Sequence, residues 1–121
     1  MRELTGHKVN GVNDELKIEV LDQPGHGGAC HRYMVFFPNP KVDNHYLIAF
    51  QDGPIKEVGT NGLTHEALLA ILIDRLEGFQ SGQYACQSNQ TALDALRVAQ
   101  EALLSRTRER AARGVEGTHQ K

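Results

Sequence analysis

The sequence predicts an α+β fold, a small N-terminal antiparallel β-sheet followed by a C-terminal two-helix hairpin. In the first half, apolar residues alternate with polar ones or form short β-branched and aromatic runs. From Leu63 onward they recur every three or four positions, as they do in helices. With 121 residues the chain has the length of one domain. We therefore expect a single domain over 1–121, with a β-sheet half at 1–62 and a helical-hairpin half at 63–121.

Three segments of the first half have the composition of strands. Residues 15–22 alternate apolar and charged side chains, and residues 31–37 and 45–51 are rich in aromatic and β-branched types. Short turn-forming segments separate them, which predicts an antiparallel meander of three or four strands. The segment "IKEVGTNG" is expected to add a last short strand.

Two helices are expected in the second half. The first covers about 65–79, with Thr64 as its N-cap. The second begins after an N-cap at Ser88 or Asn89 and runs to about Arg113.

The second helix has two features that indicate assembly. It is about 25 residues long, roughly twice the average helix, and Gly114 follows it as a C-cap glycine. Its apolar side mixes alanines with leucines, which lets neighbouring helices approach closely. A second copy of the chain would cover the part that the first helix cannot reach, so we expect oligomerisation through the helices.

Composition excludes several classes of function. The formal net charge of −2 leaves no basic surplus for a nucleic-acid polymer. No apolar run approaches the roughly 18 residues of a membrane span, and "MRELTGHKVN" lacks the apolar core of a signal peptide. We expect a cytoplasmic protein with no membrane partner, in which Cys30 and Cys86 are free thiols.

Arginines are concentrated near the end of the second helix. Five of the thirteen basic residues are arginines between positions 97 and 113. One interpretation is a helix cap, in which each cation complements the macrodipole by about 0.3–1 kcal/mol. The other is an anion site, because the planar guanidinium fork matches phosphate oxygens.

The direction of the arginines favours the anion site. A helix face that begins with alanines and leucines continues as Arg106, Arg110 and Arg113, at spacings of four and three residues. Arg108 is expected on the solvated side. Glu109 is expected on another face, so that a phosphate, and not an acidic side chain, is predicted between the three arginines.

Other residue groups predict little chemistry. His26, Cys30 and His31 lack a fourth metal ligand, so we interpret them as loop histidines and a buried thiol. No motif pairs a nucleophile with a base, and no phosphate-binding loop is present. We expect no catalytic residues, no metal and no cofactor. Phe79 and Tyr84, near the hairpin turn, fit either a core contact or a platform for a base.

The second half resembles the helical hairpin of phage Thoeris anti-defence proteins of the first type. The resemblance rests on "NGLTHEALLAILIDRLEGFQ", on the alanine- and leucine-rich helix and on "RTRERAARGVEGTH". These proteins are sponges that sequester cyclic ADP-ribose signals made by bacterial TIR-domain immune enzymes. Their hairpin is similar to that of anti-CBASS sponges, which capture cyclic oligonucleotides.

The resemblance implies a non-enzymatic binder of 1″–2′ or 1″–3′ glycocyclic ADP-ribose in the host bacterial cytoplasm. It implies a homodimer or homohexamer with ligand pockets between subunits and, in some members, a separate site for cyclic di- or trinucleotides. The start of the second helix, "QSNQTALDAL", is less charged than the family pattern, and if this segment shapes the adenine pocket we expect a different ligand preference.

Site residues follow from the same resemblance. Phe79 would stack on adenine, Asn89 would hydrogen-bond the ligand and Arg106 would pair with the pyrophosphate. Arg32 is the candidate basic residue of the first half. The last candidates line the site or a second pocket and belong to the family tail: Arg113, Thr118 and His119.

Three other functions are compatible with the residues. The first is a hydrolase of the same cyclic nucleotides. The second is an antagonist whose arginine face docks an acidic protein, and the third is a structural phage protein in which the arginines only cap the helix.

Overall fold

A computed structural model describes residues 2–9, 11–39, 41 and 44–118. The chain divides into two compact units, Met1–Gly53 with Thr60–Gly62 and Pro54–Gly59 with Leu63–Lys121. The first unit carries an antiparallel sheet and the second a helical hairpin, which confirms the predicted α+β class. Whether the two units behave as one domain stays a prediction.

The first unit contains four strands and one short helix among its described residues. The strands pair in chain order, each antiparallel to the next, which confirms the predicted meander. A single 3₁₀ turn, His26–Gly28, lies between the second and third strands. The elements are β1 (Arg2–Leu4), α1 (Gly11–Glu15), β2 (Lys17–Val20), β3 (Arg32–Phe36) and β4 (His45–Ala49).

The apolar face of the sheet is centred on Val20, which is only 1% exposed. Val20 is opposite Tyr33, and Tyr33 is opposite Ile48, so that one face carries an apolar row across three strands. The Tyr33 ring meets the edge of the Phe50 ring, with centroids 5.8 Å apart. The alternation read in 15–22 therefore places its apolar residues on one side.

β1 and α1 were not predicted. β1 has three residues, two of them charged, and α1 has five and no buried side chain. Neither carries a periodic apolar pattern. β1 exists because it pairs with β2, with Arg2 opposite Val20 and Leu4 opposite Ile18.

Asp22 organises the connection from β2 to β3. Its carboxylate accepts hydrogen bonds from the backbone N–H groups of His31 at 2.9 Å and Arg32 at 3.2 Å. The Cys30 thiol donates to the Asp22 carbonyl oxygen. The His31 ring is buried, with Nε2 2.9 Å from the His26 carbonyl oxygen. These bonds link the glycine-rich loop to the end of β2 and the start of β3.

The second unit opens with a helix where a strand was predicted. α2 (Ile55–Val58) occupies the segment "IKEVGTNG", so the expected last strand is wrong. Pro54 precedes this helix and Gly59, at φ 76°, ends it. Glycine adopts positive φ without strain, so the chain can leave the helix at Gly59 after a single turn.

The two long helices lie close to their predicted positions. α3 (His65–Gln80) begins after Thr64, whose side chain accepts the Ala67 N–H, which confirms the predicted N-cap. α4 (Gln87–Arg113) ends at Gly114, which has φ 77° and confirms the predicted C-cap. The predicted N-cap of α4 at Ser88 or Asn89 is wrong.

Cys86 is the N-cap of α4. Its sulfur accepts the backbone N–H of Asn89 at 3.4 Å. Both cysteines are free, as predicted, with Cys30 buried and Cys86 exposed. Among the described residues, no helix combines the length and the apolar character that crossing a membrane requires.

Replacing Gly62 with alanine is expected to destabilise the first unit by about 2 kcal/mol or more, the usual cost of overpacking. A Cβ at Gly62 would lie 2.5 Å from the Phe50 carbonyl carbon and 2.7 Å from the Ala49 oxygen. Both are backbone atoms that cannot rotate away. Thermal unfolding measures the effect. Gly6→Ala, where a Cβ meets nothing within 4 Å, is the matched control, and equal melting temperatures for the two variants would contradict the clash.

Replacing Asp22 with asparagine is expected to weaken the acid dependence of stability. The backbone N–H groups of His31, first, and of Arg32 lower the pKa of the Asp22 carboxyl below its ordinary 3.8. The ionised carboxylate therefore stabilises the fold above the unfolded-state pKa, and this contribution disappears as the pH falls through the lower folded-state pKa.

Melting temperatures measured from neutral pH down into the acid range test this expectation. The native chain is expected to lose stability more steeply than Asp22→Asn. Asp14→Asn removes an exposed carboxylate that accepts no hydrogen bond within the described part of the chain, and it should follow the native curve. Parallel curves for the native chain and Asp22→Asn would show that the expectation is wrong.

Candidate functional site

α3 and α4 form an antiparallel hairpin with few buried side chains. Among the described apolar residues of these helices, only Ile73 and Leu93 are less than one tenth exposed. A salt bridge of 2.7 Å from Arg97 Nη2 to Glu77 Oε2 joins the helices. Large apolar side chains remain exposed on both, including Ile71 at 59% and Val98 at 71%. The hairpin thus has apolar surface that its own residues do not cover.

Gln80 closes the turn between the helices. Its side-chain oxygen accepts the Cys86 N–H at 3.0 Å, and its Nε2 donates to the Cys86 carbonyl oxygen at 3.1 Å and to Gln90 Oε1 at 3.2 Å. A second side-chain amide also bonds to the turn: Asn89 Nδ2 donates to the Tyr84 carbonyl oxygen at 3.4 Å. The amide side chains therefore fix the backbone that carries Tyr84 and Asn89.

An open groove lies at this turn end of the hairpin. Its volume is about 500 Å³, and most of it is open to solvent. The Phe79 and Tyr84 rings meet edge to face, with centroids 6.4 Å apart, and Phe79 is 37% exposed. The groove is lined by these two rings, two glycines, Ile71, Asp74 and Arg75. It offers an accessible aromatic surface of the kind that stacks on a base.

Arg75 lies over the Phe79 ring. Its guanidinium carbon is 5.0 Å from the ring centroid, a cation–π contact that contributes about 0.5–1 kcal/mol at an exposed site. The two residues are four positions apart on α3 and so share a helix face. This contact orients the ring that the sequence singled out.

Two of the three arginines assigned to an external anion pair with carboxylates of the chain itself. Arg113 Nε pairs with Glu109 Oε1, so the expectation that Glu109 points to another face is wrong. Arg110 is 7% exposed, and its Nε is 2.9 Å from Glu116 Oε2. Acidic side chains of the chain itself thus neutralise two of the three arginines.

Arg110 holds the C-terminal turn, residues 114–118. Besides Glu116, its Nη2 donates to the carbonyl oxygens of Val115 at 2.9 Å and Thr118 at 3.0 Å. The Gly117 carbonyl oxygen in turn accepts the Lys56 N–H of α2 at 2.9 Å. Arg110 is therefore a structural link, and its assignment to a ligand stays a prediction that these contacts do not favour.

Arg106 is exposed and, within the described part of the chain, forms no salt bridge or hydrogen bond. Within the predicted stripe, Arg110 is buried and Leu96 and Leu103 are half-buried, whereas Arg106 and Arg113 are exposed in this chain. The expectation that all three arginines continue the packed stripe therefore holds for Arg110 alone. Arg108 pairs with Glu101 at 3.1 Å on the exposed side, as predicted.

The other predicted site residues have separate positions. Arg32 has an exposed side chain on β3 in the first unit. Thr118 belongs to the C-terminal turn, where its hydroxyl donates to the Val115 carbonyl oxygen. His119 lies outside the described residues. Only Phe79 and Asn89 are brought to the same end of the hairpin, with Tyr84 between them.

Arg106 lies at the opposite end of α4 from Asn89. They are 17 positions apart, and at 1.5 Å per residue the helix places them about 25 Å apart. A single nucleotide-sized ligand does not span this distance. One chain therefore cannot bring Asn89 and Arg106 to the same small molecule.

Two residues of the turn end were missed from the sequence. Arg75 has a sequence signal, its four-residue spacing from Phe79. Gln80 has none, because its three bonds depend on how the turn closes. Within the described residues, no group of histidine, cysteine and carboxylate side chains is arranged to hold a metal ion.

An antiparallel meander followed by a helical hairpin with a long second helix defines the class as a small α+β protein. Residues 43–108, more than half of the chain, match the Acb2/Tad1 hairpin domain. The chain belongs to this family, and the matched range contains Phe79, Asn89 and Arg106.

One similar protein is "Thoeris anti-defense 1" of Bacillus phage SBSphiJ7. It is 46% identical over 74 residues, which cover 61% of this chain and 52% of the relative. The match thus spans about half the length of that curated relative.

Replacing Arg110 with methionine is expected to release the C-terminal turn. The change removes hydrogen bonds to Glu116, Val115 and Thr118, and we expect a loss of about 2 kcal/mol in the free energy of unfolding. Hydrogen exchange at the Lys56 amide is expected to accelerate, because its acceptor belongs to that turn. Arg108→Met, which breaks an exposed pair, is the control. Unchanged protection of Lys56 would refute this role of Arg110.

Proposed function

We propose that this protein is a phage anti-defence sponge, which binds a cyclic ADP-ribose immune signal and retains it without chemical change. Membership of the Acb2/Tad1 hairpin family and the similarity to a Thoeris anti-defence protein support this proposal. It acts in the cytoplasm of the host bacterium, where such a signal is made. The ligand is a 1″–2′ or 1″–3′ glycocyclic ADP-ribose.

The observation that carries the proposal is the accessible Phe79 ring in the groove at the hairpin turn. The adenine base stacks on this ring, a contact that contributes about 1–3 kcal/mol. Asn89, in the first turn of α4 at the same end of the hairpin, supplies amide hydrogen-bonding groups to the ligand. One end of the hairpin thus provides a stacking surface for the base, Phe79, and a hydrogen-bonding side chain, Asn89, for a polar group of the ligand such as a sugar hydroxyl.

The pyrophosphate of the ligand requires cations, and Arg106 is the proposed one. It is exposed and lacks a carboxylate partner among the described residues. Because α4 separates it from Asn89 by about 25 Å, the Arg106 that reaches a ligand at Phe79 belongs to a second copy. The exposed apolar residues Ile71 and Val98 provide surface for such an assembly, a homodimer or a homohexamer.

The remaining site assignments complete the proposal. Arg32 adds a basic side chain from the first unit, and Arg113, Thr118 and His119 line the site or a second pocket. Cyclic di- or trinucleotides are proposed ligands of that second pocket. No cofactor takes part.

Sequestration sets the affinity that the pocket must reach. A sponge must hold its ligand below the concentration that activates the immune effector, which corresponds to nanomolar binding and about −12 kcal/mol. Stacking alone does not supply this, so the arginine contacts to phosphate carry a large share.

Titration calorimetry with purified 1″–2′ and 1″–3′ glycocyclic ADP-ribose tests the function directly. Heat denaturation of the complex then releases the ligand for chromatography. Nanomolar binding with intact ligand recovered is the expected result. Recovery of cleaved products would identify a hydrolase instead, and absence of binding to either isomer would overturn the cyclic ADP-ribose proposal.

Replacing Arg106 with alanine is expected to abolish ligand retention while the melting temperature stays within about 1 °C of the native value, since the exposed side chain makes no described contact. The reason for the loss is the missing charge opposite the pyrophosphate. Binding is measured by the same calorimetry. Arg108→Ala removes an equal charge two residues away and should bind normally. A folded Arg106→Ala protein with native affinity would remove Arg106 from the site.

A further inference from the structure

The arginines of the helical hairpin fall into two groups. Four of the six are neutralised by carboxylates of the same chain: Arg97, Arg108, Arg110 and Arg113. The other two, Arg75 and Arg106, have no carboxylate partner among the described residues. Since this chain pairs most of its hairpin arginines internally, the two exceptions are candidates for binding an external anion.

Arg75 differs from Arg106 in that it already lies in a groove. Its guanidinium carbon is 5.0 Å from the centroid of the Phe79 ring, and its side chain lines the cavity of about 500 Å³ that Phe79 and Tyr84 also line. Arg75 donates no hydrogen bond to another described residue, so its N–H groups can donate to an external acceptor.

We infer that Arg75 binds a phosphate of the same nucleotide whose base stacks on Phe79. The groove thus recognises two chemical features together, an aromatic base and an anionic phosphate, with residues four positions apart on one helix. This inference rests on the proposed function and adds a residue to its site. It also means that one chain provides a partial nucleotide site before any second copy contributes Arg106.

The carboxylate of Asp74 limits where the phosphate lies. Asp74 lines the same groove and forms no salt bridge with a described residue. It repels an anion and accepts hydrogen bonds from hydroxyl or amino groups. The phosphate is therefore confined to the Arg75 side, while sugar hydroxyls or the base amine face Asp74.

A purely structural role for Arg75 makes a different prediction. If Arg75 only held the Phe79 ring in place, its loss would weaken the binding of any adenine compound to the same extent, whether or not a phosphate is present. If Arg75 contacts phosphate, its loss weakens only phosphate-bearing ligands. Comparing a ligand that carries phosphate with one that lacks it therefore distinguishes the two roles.

The experiment uses the full chain with Arg75→Gln, Arg75→Lys and the control Arg108→Gln, all checked for native melting temperatures. Each is titrated with 1″–2′ glycocyclic ADP-ribose at several salt concentrations and with adenosine. We expect Arg75→Gln to lose roughly tenfold or more in affinity for the cyclic ligand, as expected for a charge-assisted hydrogen bond. Its salt dependence should be shallower, with partial recovery in Arg75→Lys and no change in Arg108→Gln.

Two results would overturn the inference while the proposed function stands. One is native affinity and an unchanged salt slope in Arg75→Gln. The other is an equal loss for adenosine and the cyclic ligand, which would make Arg75 a positioning residue for Phe79 only.

A native protein that binds no cyclic ADP-ribose would refute the proposed function instead. In that case adenosine 5′-monophosphate is compared with adenosine. A preference for the phosphate that disappears in Arg75→Gln supports the inference, and no preference rejects it.

Discussion

The side-chain amide of Gln80 is the contact on which the hairpin depends. It bonds to both backbone groups of Cys86 and to Gln90, so one side chain joins the last residue of α3 to the first turn of α4. The backbone that it fixes carries Tyr84 and leads into Asn89. The shape of the groove at Phe79 is therefore a consequence of how the turn is closed, more than of apolar burial, which is small in this unit.

Internal charge pairing explains why a chain with a net charge of −2 tolerates so many arginines in one helix. Glu101, Glu109 and Glu116 each neutralise one of them, and the burial of Arg110 is accompanied by bonds to Glu116 and to the carbonyl oxygens of Val115 and Thr118. Most of the arginine charge of the hairpin is thus neutralised within the chain. Two arginines, Arg75 and Arg106, have no carboxylate partner among the described residues, and they lie at separate places on the hairpin.

Sequence reasoning recovered features whose causes are local. Thr64 as an N-cap and Gly114 as a C-cap follow from single-residue preferences, and the hairpin follows from apolar periodicity. Cys86 was missed as an N-cap because serine and asparagine, which follow it, are much stronger capping residues. The helix at Ile55–Val58 was missed because β-branched residues favour strands when considered alone.

The candidate site was also predicted in part. Phe79 and Asn89 were placed together by resemblance, and the structure brings both to the turn. The Arg110–Glu116 pair was not predictable, because it requires the chain to reverse after Gly114 and return along α4. Arg75 was visible as a spacing, but its lack of a carboxylate partner is a property of the folded chain.

The uninterrupted length of α4 has an evolutionary consequence. Helix α4 fixes the distance and the angle between Asn89 and Arg106. An insertion of one residue between them would lengthen the helix by about 1.5 Å and rotate all later residues by about 100°. Such a change would turn Arg106 to another face relative to Asn89, and it would also move Arg110 and the C-terminal turn together, away from the Lys56 N–H of α2. Descendants of this sequence can therefore alter ligand preference by exchanging side chains at either end, while the number of residues between those ends is held constant.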